Sequence, residues 1–212
     1  MELKERIKSN PTLKKLAFWM LFPKNQGRPR LWIRLFLNPF KHKRGRGSLI
    51  RRRVRLDVVP FNNFVLGRNS TIEDFSTINN GVGDVIIGNH SRIGLSNTII
   101  GPVTIGNNVI LAQNIVASGL NHGYEDISIP ISKQTVNTSP IIIEDEAWIG
   151  ANAVITAGIT IGKHSIVAAG CVVVKNVPQY SIVGGNPGRI LKQYNSATKV
   201  WEKPSDVKKN NL

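Results

Sequence analysis

The residues best suited to chemistry in this 212-residue chain lie in one short stretch, "GLNHGYED", residues 119–126. His122 stands there beside glycine and asparagine, and Glu125 and Asp126 follow it closely. An imidazole with an unperturbed pKa of about 6.5 can accept a proton near neutral pH, so His122 is a candidate general base. Either carboxylate could orient the imidazole, contact a substrate, or remain a solvated loop charge.

The other three histidines do not form a metal-binding pattern. His90 and His164 each follow an aliphatic position of the repeat described below by three residues, and His42 lies in a basic N-terminal segment. These separations lack the clustered spacing of zinc ligands, and the single cysteine, Cys171, completes no Cys/His motif. We therefore expect no metal site.

The elements that position His122 are predicted by an aliphatic residue at every sixth position. Six is a multiple of the strand period of two, so these side chains all point to one side of an extended chain. Three short strands with bends between them close a triangular coil of three hexads, and stacked coils bury the aliphatics. The pattern predicts an all-β chain, a parallel β-helix, because a β-sandwich would keep three runs in register only by accident. The fifteen positions are Leu66, Ile72, Ile78; Ile87, Ile93, Ile99, Ile105, Leu111, Ala117; and Ile143, Ile149, Ile155, Ile161, Val167, Val173.

The period of six breaks around His122. The interval from Ala117 to Ile143 is four hexads with a remainder of two. The excess predicts one excursion loop, and the glycines and prolines of this segment suit a loop. An excursion from a rigid wall is a natural place for a functional side chain.

Several segments of the chain resemble the hexapeptide-repeat acyltransferases: "IIGNHSRIG", "VTIGNNVIL", "IIIEDEAWIGANAVITAGITIGKHSIVAAG" and "VPQYSIVGGNPGRIL". They are most similar to the group that contains galactoside, maltose, virginiamycin and exopolysaccharide O-acetyltransferases, and the resemblance covers roughly Ser48 to Lys192. It implies a left-handed β-helix, a homotrimer with active sites between subunits, and acetyl-CoA as the donor.

The resemblance also implies roles for individual residues. A histidine in the corresponding loop of the family removes the proton of the acceptor hydroxyl, which matches His122, and a backbone N–H could stabilise the oxyanion. Amides can both donate to and accept from sugar hydroxyls, although asparagine is also common at coil corners. With Glu125 and Asp126, the candidate acceptor contacts are Asn79, Asn80 and Asn114.

For the CoA donor, the resemblance implies a site along the last repeats. One residue there would offer a flat apolar wall, two small residues would let backbone polar groups approach the pantetheine arm, and two cations could meet the phosphates. Val174 and Asn176 depart from the hydroxyl-bearing pattern of the family, and Cys171 is predicted to be core, with a covalent acyl-cysteine as a minor alternative. The candidate donor residues are Trp148, Ala151, Ala169, Lys175 and Arg189.

The formal charge of +15 is confined to the N-terminal part of the chain. Residues 1–55 contain 17 Lys/Arg and 2 Asp/Glu, whereas residues 56–212 contain 11 of each. Aromatic residues interleave with these cations, which favours an anionic membrane surface over nucleic acid, unless the arm simply packs on the protein. No apolar run approaches the roughly 20 residues of a spanning helix.

These observations together predict three segments: a basic arm (1–47), the β-helix (48–192) and a polar tail (193–212) with a short helix around Trp201. We expect a cytoplasmic enzyme, peripheral at the inner face of the cytoplasmic membrane, that uses acetyl-CoA to O-acetylate a sugar or lipid-linked oligosaccharide of a bacterial surface polysaccharide such as lipopolysaccharide. The alternatives are an N-acetyltransferase of an amino-sugar nucleotide, and a β-helical scaffold that binds membrane or nucleic acid through the arm.

Overall fold

The computed structural model describes residues 9–204, and most of them form a parallel β-helix of six coils. Each coil contributes three short strands, which confirms the predicted fold class. The coils are β1 (Lys43–Arg44), β2 (Leu49–Ile50), β3 (Arg55–Asp57); β4 (Phe64–Leu66), β5 (Thr71–Ile72), β6 (Thr77–Asn79); β7 (Val85–Ile87), β8 (Arg92–Ile93), β9 (Thr98–Ile100); β10 (Val103–Ile105), β11 (Ile110–Leu111), β12 (Val116–Ser118); then, after an excursion with β13 (Leu120–His122) and β14 (Val136–Thr138), β15 (Ile141–Ile143), β16 (Trp148–Ile149), β17 (Val154–Ile155); and β18 (Thr160–Ile161), β19 (Ile166–Val167), β20 (Val172–Val173).

The strands stack into three parallel sheets that form the walls of the coil. Sheet A contains the first strand of each coil, sheet B the second and sheet C the third. All fifteen aliphatic positions of the six-residue repeat are at most 1% exposed, as predicted. Because every coil hydrogen-bonds to the coils above and below it, the wall is a rigid support for any loop that leaves it.

The extra residues of the longer coils all enter at one corner of the triangle. In sheet A, Val65 pairs with Ile86, Ile86 with Thr104, and Thr104 with Ile142. From Ile86 to Thr104 the chain advances by three hexads between one coil and the next. From Val65 to Ile86 it advances by three residues more than that, and from Thr104 to Ile142 by three hexads and two residues more. The additional residues lie between the third strand of one coil and the first strand of the next. We call this corner the insertion edge; it comprises residues 58–63, 80–84 and 119–140.

The other two corners are turned by residues in the left-handed backbone region. Asparagine and glycine hold some of these positions, as their tolerance of positive φ leads one to expect. Phe75, Glu146 and Tyr180 hold others at φ of 64°, 63° and 56°. At these three residues, stacking against the adjacent coils outweighs the backbone preference.

A ladder of side-chain caps joins successive coils at the corner between sheets A and B. Asn89 Oδ1 accepts the backbone N–H of Arg68 at 2.8 Å, and Asn107 Oδ1 accepts that of Asn89 at 2.8 Å. Asp145 continues the ladder, with its Oδ1 accepting the N–H of Asn107 at 2.7 Å. These contacts hold the pKa of the Asp145 carboxyl below its ordinary value.

The N-terminal end of the β-helix is covered by helical segments. Helix α1 (Pro11–Leu21) begins at the cap Asn10 and contains no buried residue. A π-helical turn (Ile33–Leu37) follows, and α2 (Asn38–Lys41) comes directly after it. In this second segment Ile33 is buried, and Asn38 Nδ2 donates to the carbonyl of Val58 at 2.9 Å, which fixes it to the first coil. None of the helices between residues 9 and 204 has the length and apolar character needed to cross a bilayer.

The C-terminal end of the β-helix is covered by antiparallel strands. β21 (Ser181–Gly184) extends sheet B, β22 (Arg189–Asn195) pairs with it, and β23 (Val200–Glu202) pairs with β22. The short helix expected around Trp201 is wrong, because Trp201 lies in β23 and packs against Tyr194 with ring centroids 5.6 Å apart. Strand pairing therefore runs from Lys43 to Glu202.

Candidate functional site

His122 lies on a hairpin that leaves the wall at the insertion edge. β13 and β14 pair antiparallel, with His122 opposite Val136. This hairpin is the excursion predicted from the break in the repeat. The His122 side chain is exposed at the end of its strand, where a substrate could reach it.

The tip of the hairpin is held by its own backbone and by one glutamine. Gly123 donates its N–H to the carbonyl of Thr135 at 2.8 Å, and a Cβ at Gly123 would lie 2.8 Å from that same oxygen. Gln134 Nε2 donates to the carbonyl of Asp126 at 2.8 Å and, more weakly, to that of Ile129 at 3.3 Å. No spacing or composition signal marked Gln134, so sequence reasoning missed it.

Glu125 and Asp126 make their contacts within the loop. Glu125 Oε2 accepts the N–H of Tyr124 at 3.0 Å, and Asp126 Oδ1 accepts the hydroxyl of Ser128 at 2.6 Å. Backbone N–H groups, including the Glu125 N–H itself, lower the pKa of Glu125, and Ser128 lowers that of Asp126. Among residues 9–204 no hydrogen bond joins either carboxylate to His122, so an orienting role for them stays a prediction.

The three candidate asparagines occupy different environments. Asn80 is fully buried, and its amide contacts Val59 and Asn62. Asn114 is exposed at a corner with φ of 57°. Asn79, by contrast, ends β6 half-buried at the insertion edge, with its Oδ1 accepting the N–H of Gly81 at 2.7 Å. Of the three, Asn79 lines a cavity.

That cavity lies between α1 and the insertion edge and has a volume of about 820 Å³. We call it the edge groove. Its helical side is lined by Phe18, Trp19 and Phe22, and its coil side by Val59, Phe61 and Val82. Asn79, Lys24, Arg30 and Asp57 are among its polar members. The groove was not foreseen, because the arm and the coil edge are brought together only by the fold.

The donor candidates lie on the last two coils. Trp148 is exposed on sheet B, and Ala151 and Ala169 occupy matching positions at the corner between sheets B and C. The carbonyl of Ala151 accepts the N–H of Gly170 at 2.8 Å, so the structure brings the two alanines together on adjacent coils.

The two basic donor candidates are also exposed, and they lie at different elements. Arg189 begins β22 opposite Gly184, and a Cβ on that glycine would lie 3.2 Å from the Cβ of Ala168, so Arg189 belongs near the alanine corner. Lys175 follows β20 at the far end of sheet C. Asn176, one of the departures from the family pattern, uses its Oδ1 to accept the N–H of Thr160 at 2.8 Å.

Cys171, His164 and His42 are also of residue types that can act in catalysis, but each is buried or contacts a neighbouring residue of the fold. Cys171 is fully buried, and burial raises the pKa of its thiol. His164 Nδ1 lies 3.2 Å from Glu146 Oε2, and His42 Nδ1 accepts the N–H of Phe64 at 3.2 Å. In the part of the chain that the structure describes, no group of three or more His, Cys, Asp or Glu side chains is arranged to hold a metal ion.

Comparison with known sequences finds a hexapeptide repeat in two stretches of the chain. Residues 84–117 and 140–175 match the family model described as the hexapeptide repeat of succinyl-transferase. The chain is 33% identical over 108 residues, 48% of its length, to an Escherichia coli protein named as a lipopolysaccharide biosynthesis O-acetyl transferase, WbbJ. It is 51% identical over 57 residues to the 2,3,4,5-tetrahydropyridine-2,6-dicarboxylate N-acetyltransferase of Staphylococcus aureus. The matched part spans 55% of the first relative and 24% of the second.

Solved structures share the fold. AntD, an N-acyltransferase from Bacillus cereus crystallised with dTDP and 3-hydroxybutyryl-CoA, is 20% identical and superposes with a TM-score of 0.64 over 84% of this chain and 93% of its own. A hexapeptide-repeat acetyltransferase from Vibrio cholerae, crystallised with acetyl-CoA, is 24% identical and superposes with a TM-score of 0.53 over 86% of this chain and 85% of its own.

Proposed function

We propose that this hexapeptide-repeat protein is an acetyl-CoA-dependent acetyltransferase that O-acetylates a sugar hydroxyl in the biosynthesis of a bacterial surface polysaccharide or lipid-linked oligosaccharide. The observation that carries the proposal is an exposed histidine, His122, on a hairpin that leaves a rigid β-helical wall. The name of the Escherichia coli relative supports O-acetylation in lipopolysaccharide biosynthesis. The acetyl-CoA bound to the Vibrio cholerae protein supports the donor.

In the proposed reaction, His122 takes the proton of the acceptor hydroxyl as the oxygen attacks the thioester carbonyl carbon. The new C–O bond forms a tetrahedral intermediate, whose negative oxygen a backbone N–H would stabilise. Collapse of the intermediate breaks the C–S bond, and the imidazolium returns the proton to the thiolate of CoA. The products are the acetyl ester and free CoA, and His122 is neutral again.

The placement of the candidates supports an active site shared between copies, as in the homotrimer that the resemblance implies. His122 leaves the wall at the insertion edge, whereas Ala151 and Ala169 lie at the corner between sheets B and C. One wall of about six residues separates these two corners, and at about 3.3 Å per residue that is roughly 20 Å. A neighbouring copy that presents its alanine corner to this His122 would close the distance between donor and base.

The proposal is tested by following CoA thiol release from acetyl-CoA with a panel of hexoses, amino sugars and lipid-linked oligosaccharides. We expect His122→Ala to lower turnover by about 10²–10⁴-fold, the usual contribution of a general base. His90→Ala is the matched control, because His90 is an exposed histidine at a corner of the wall. Equal turnover by His122→Ala and the unmodified protein would refute the role of His122.

N-acetylation of an amino-sugar nucleotide is the second candidate. It is favoured by the structural likeness to AntD, which is named an N-acyltransferase and was crystallised with dTDP. The product separates the two: hydroxylamine cleaves an acetyl ester and leaves an acetamide intact. A β-helical scaffold without chemistry would release no thiol with any acceptor.

We also propose that the arm holds the enzyme peripherally at the inner, anionic face of the cytoplasmic membrane. Residues 9–55 contain 14 lysines and arginines and no acid, and Phe36 and Phe40 are 65% and 90% exposed. Aromatic rings at the headgroup level and cations toward anionic lipid suit such a surface.

Liposome pelleting tests the membrane contact. Vesicles of phosphatidylglycerol and phosphatidylcholine should retain the protein at low salt, and Phe36→Ser with Phe40→Ser should release most of it. Phe75→Ser is the matched control, since Phe75 is a 58% exposed phenylalanine at a corner of the β-helix. Equal retention of the double variant, or equal loss with the control, would refute binding through the arm.

A further inference from the structure

We propose that the edge groove binds the lipid-phosphate portion of the acceptor, so that a sugar carried on a long-chain lipid phosphate is held with its head toward His122. This inference deepens the proposed function and rests on it for the identity of the reaction. The binding site itself rests on the lining, charge and position of the groove, which are independent of the chemistry at His122.

The lining of the groove suits an apolar chain. Phe18, Trp19 and Phe22 face the coil side across the cavity, and Val82 belongs to the opposite wall. Trp19 is 67% exposed although it lines the cavity, so a ligand chain would remove a large aromatic surface from water. The exposed side of α1 continues this apolar surface outward, which gives a chain that leaves a membrane an apolar path into the groove.

The cations of the groove suit a phosphate. The Nε of Arg30 donates to the carbonyl of Trp19 at 3.1 Å, and its guanidinium lies 5.6 Å from the centroid of the Trp19 ring. Neither Nη atom of Arg30 has a hydrogen-bond partner in the described part of the chain, so both can bind phosphate oxygens. Lys24 adds a second positive charge. The acid among the lining residues, Asp57, is buried and paired with Arg55 at 2.8 Å, which neutralises it.

The position of the groove connects it to the catalytic hairpin. Asn79, which lines the groove, pairs with Ile100 in the next coil, and Ile100 pairs with Ser118 in the coil after that. Ser118 directly precedes the excursion that carries His122. Because neighbouring strands lie about 4.8 Å apart, these two coil steps span about 10 Å along the insertion edge, roughly the length of one or two sugar residues.

Other occupants fit the groove less well. The amides of Asn25, Gln26 and Asn79 could hydrogen-bond a nucleotide, but its ribose and phosphates would leave the apolar walls of Phe18, Trp19, Phe22, Val59 and Val82 largely uncovered. The basic arm of a second copy would bring further lysines and arginines against Lys24 and Arg30, where like charges repel. A lipid phosphate satisfies both the apolar walls and the cations.

Calorimetric titration of the full-length protein with farnesyl phosphate, below its micelle concentration, tests the proposal. We expect saturable binding, with farnesol and inorganic phosphate each at least tenfold weaker, because each lacks one half of the ligand. Val82→Asp places a charge in the groove without altering the arm and should weaken farnesyl phosphate at least tenfold. Arg30→Gln should weaken farnesyl phosphate but not farnesol.

The controls distinguish specific binding in the groove from non-specific hydrophobic adsorption and from misfolding of a variant. Trp19 lines the groove, so Trp19→Ala should weaken the binding of farnesyl phosphate. Trp32 is an exposed tryptophan outside the groove, so the affinity of Trp32→Ala should stay within twofold of that of the unmodified protein. Acetyl-CoA binding by Val82→Asp, measured alongside, shows that the β-helix is intact. The groove assignment would be overturned if farnesyl phosphate does not bind saturably, or if farnesol or inorganic phosphate alone binds equally well. It would also be overturned if the two tryptophan variants have equal effects, or if Val82→Asp binds as tightly as the unmodified protein. Saturable, Val82-dependent binding without any thiol release would instead leave the groove standing and refute the proposed function.

Discussion

Replacing Asn80 by alanine should destabilise the protein without acting directly on the acceptor, although Asn80 and its neighbour Asn79 look equivalent in the sequence. The Asn80 amide accepts the N–H of Val59 at 2.7 Å and donates to the carbonyls of Val59 at 3.1 Å and Asn62 at 2.9 Å. It thereby fixes the first loop of the insertion edge to the second coil.

The size of the effect follows from what the substitution leaves behind. Val59 is 1% exposed, so removal of the amide buries its N–H and carbonyl without partners. An unsatisfied buried polar group costs about 1–3 kcal/mol, so the two groups together give about 3 kcal/mol if water relieves part of the loss. For a domain of this size, 1 kcal/mol shifts the unfolding midpoint by about 2–4 °C, which predicts a fall of about 6–12 °C.

Thermal unfolding by circular dichroism measures this shift, and Asn79→Ala is the matched control. Asn79 is half-buried and loses one local contact, to Gly81, so its midpoint should fall by no more than about 2–4 °C, as about 1 kcal/mol implies. Its KM for the acceptor should rise instead. If Asn80→Ala keeps its unfolding midpoint, or raises the acceptor KM while the fold is unchanged, the structural account of Asn80 is wrong.

The remaining predictions concern the thiol, the corner ladder and the donor. Because Cys171 is buried, the native protein should resist a thiol reagent such as 5,5′-dithiobis(2-nitrobenzoic acid). The Cys171→Ala variant should still release CoA thiol from acetyl-CoA. Rapid labelling of Cys171, or a variant that is folded but inactive, would favour the acyl-cysteine route. The depressed pKa of Asp145 contributes stability that is complete above the ordinary carboxyl pKa of 3.8 and is lost as pH falls through the lower folded value. Unfolding midpoints measured from pH 5 to 2 should therefore fall more steeply for the unmodified protein than for Asp145→Asn. Parallel curves for the two proteins would contradict this. Lys175→Ala should raise KM for acetyl-CoA about fivefold to tenfold with little change in kcat, as loss of one exposed phosphate contact implies, and an unchanged KM would remove Lys175 from the donor site.

The wall of the β-helix could be predicted from the sequence because its cause is local and repeated. One aliphatic per hexad must face inward, and all fifteen such residues do. The occupants of the corners could not be predicted, since Phe75 and Tyr180 adopt positive φ against their own preference and are held there by the coils above and below. The strand at Trp201 could not be predicted either, because β22 and β23 are paired through tertiary contacts rather than through the repeat.

The candidate site was only partly visible in the sequence. The excursion and His122 could be found because the break in register is a local signal. The edge groove had a weaker signal that was missed: the interval from Ile78 to Ile87 exceeds one hexad by three, so extra residues enter at the same corner as the later excursion. The approach of Trp19 and Arg30 to that corner has no counterpart in spacing, because it joins segments that are far apart in the chain.

The insertion edge has a consequence for how proteins of this architecture can diversify. Residues added at this corner leave all three sheets in register, since the strand step from Thr104 to Ile142 is more than twice as long as the step from Ile86 to Thr104. The insertion edge can therefore be lengthened, shortened or exchanged while the corner of Ala151 and Ala169 and the inward aliphatics stay unchanged. Under the proposed function, transplanting residues 119–140 or 80–84 between relatives should exchange the recognised sugar while the donor stays the same. The three-sided coil provides this modularity by keeping its variable edge apart from its regular walls.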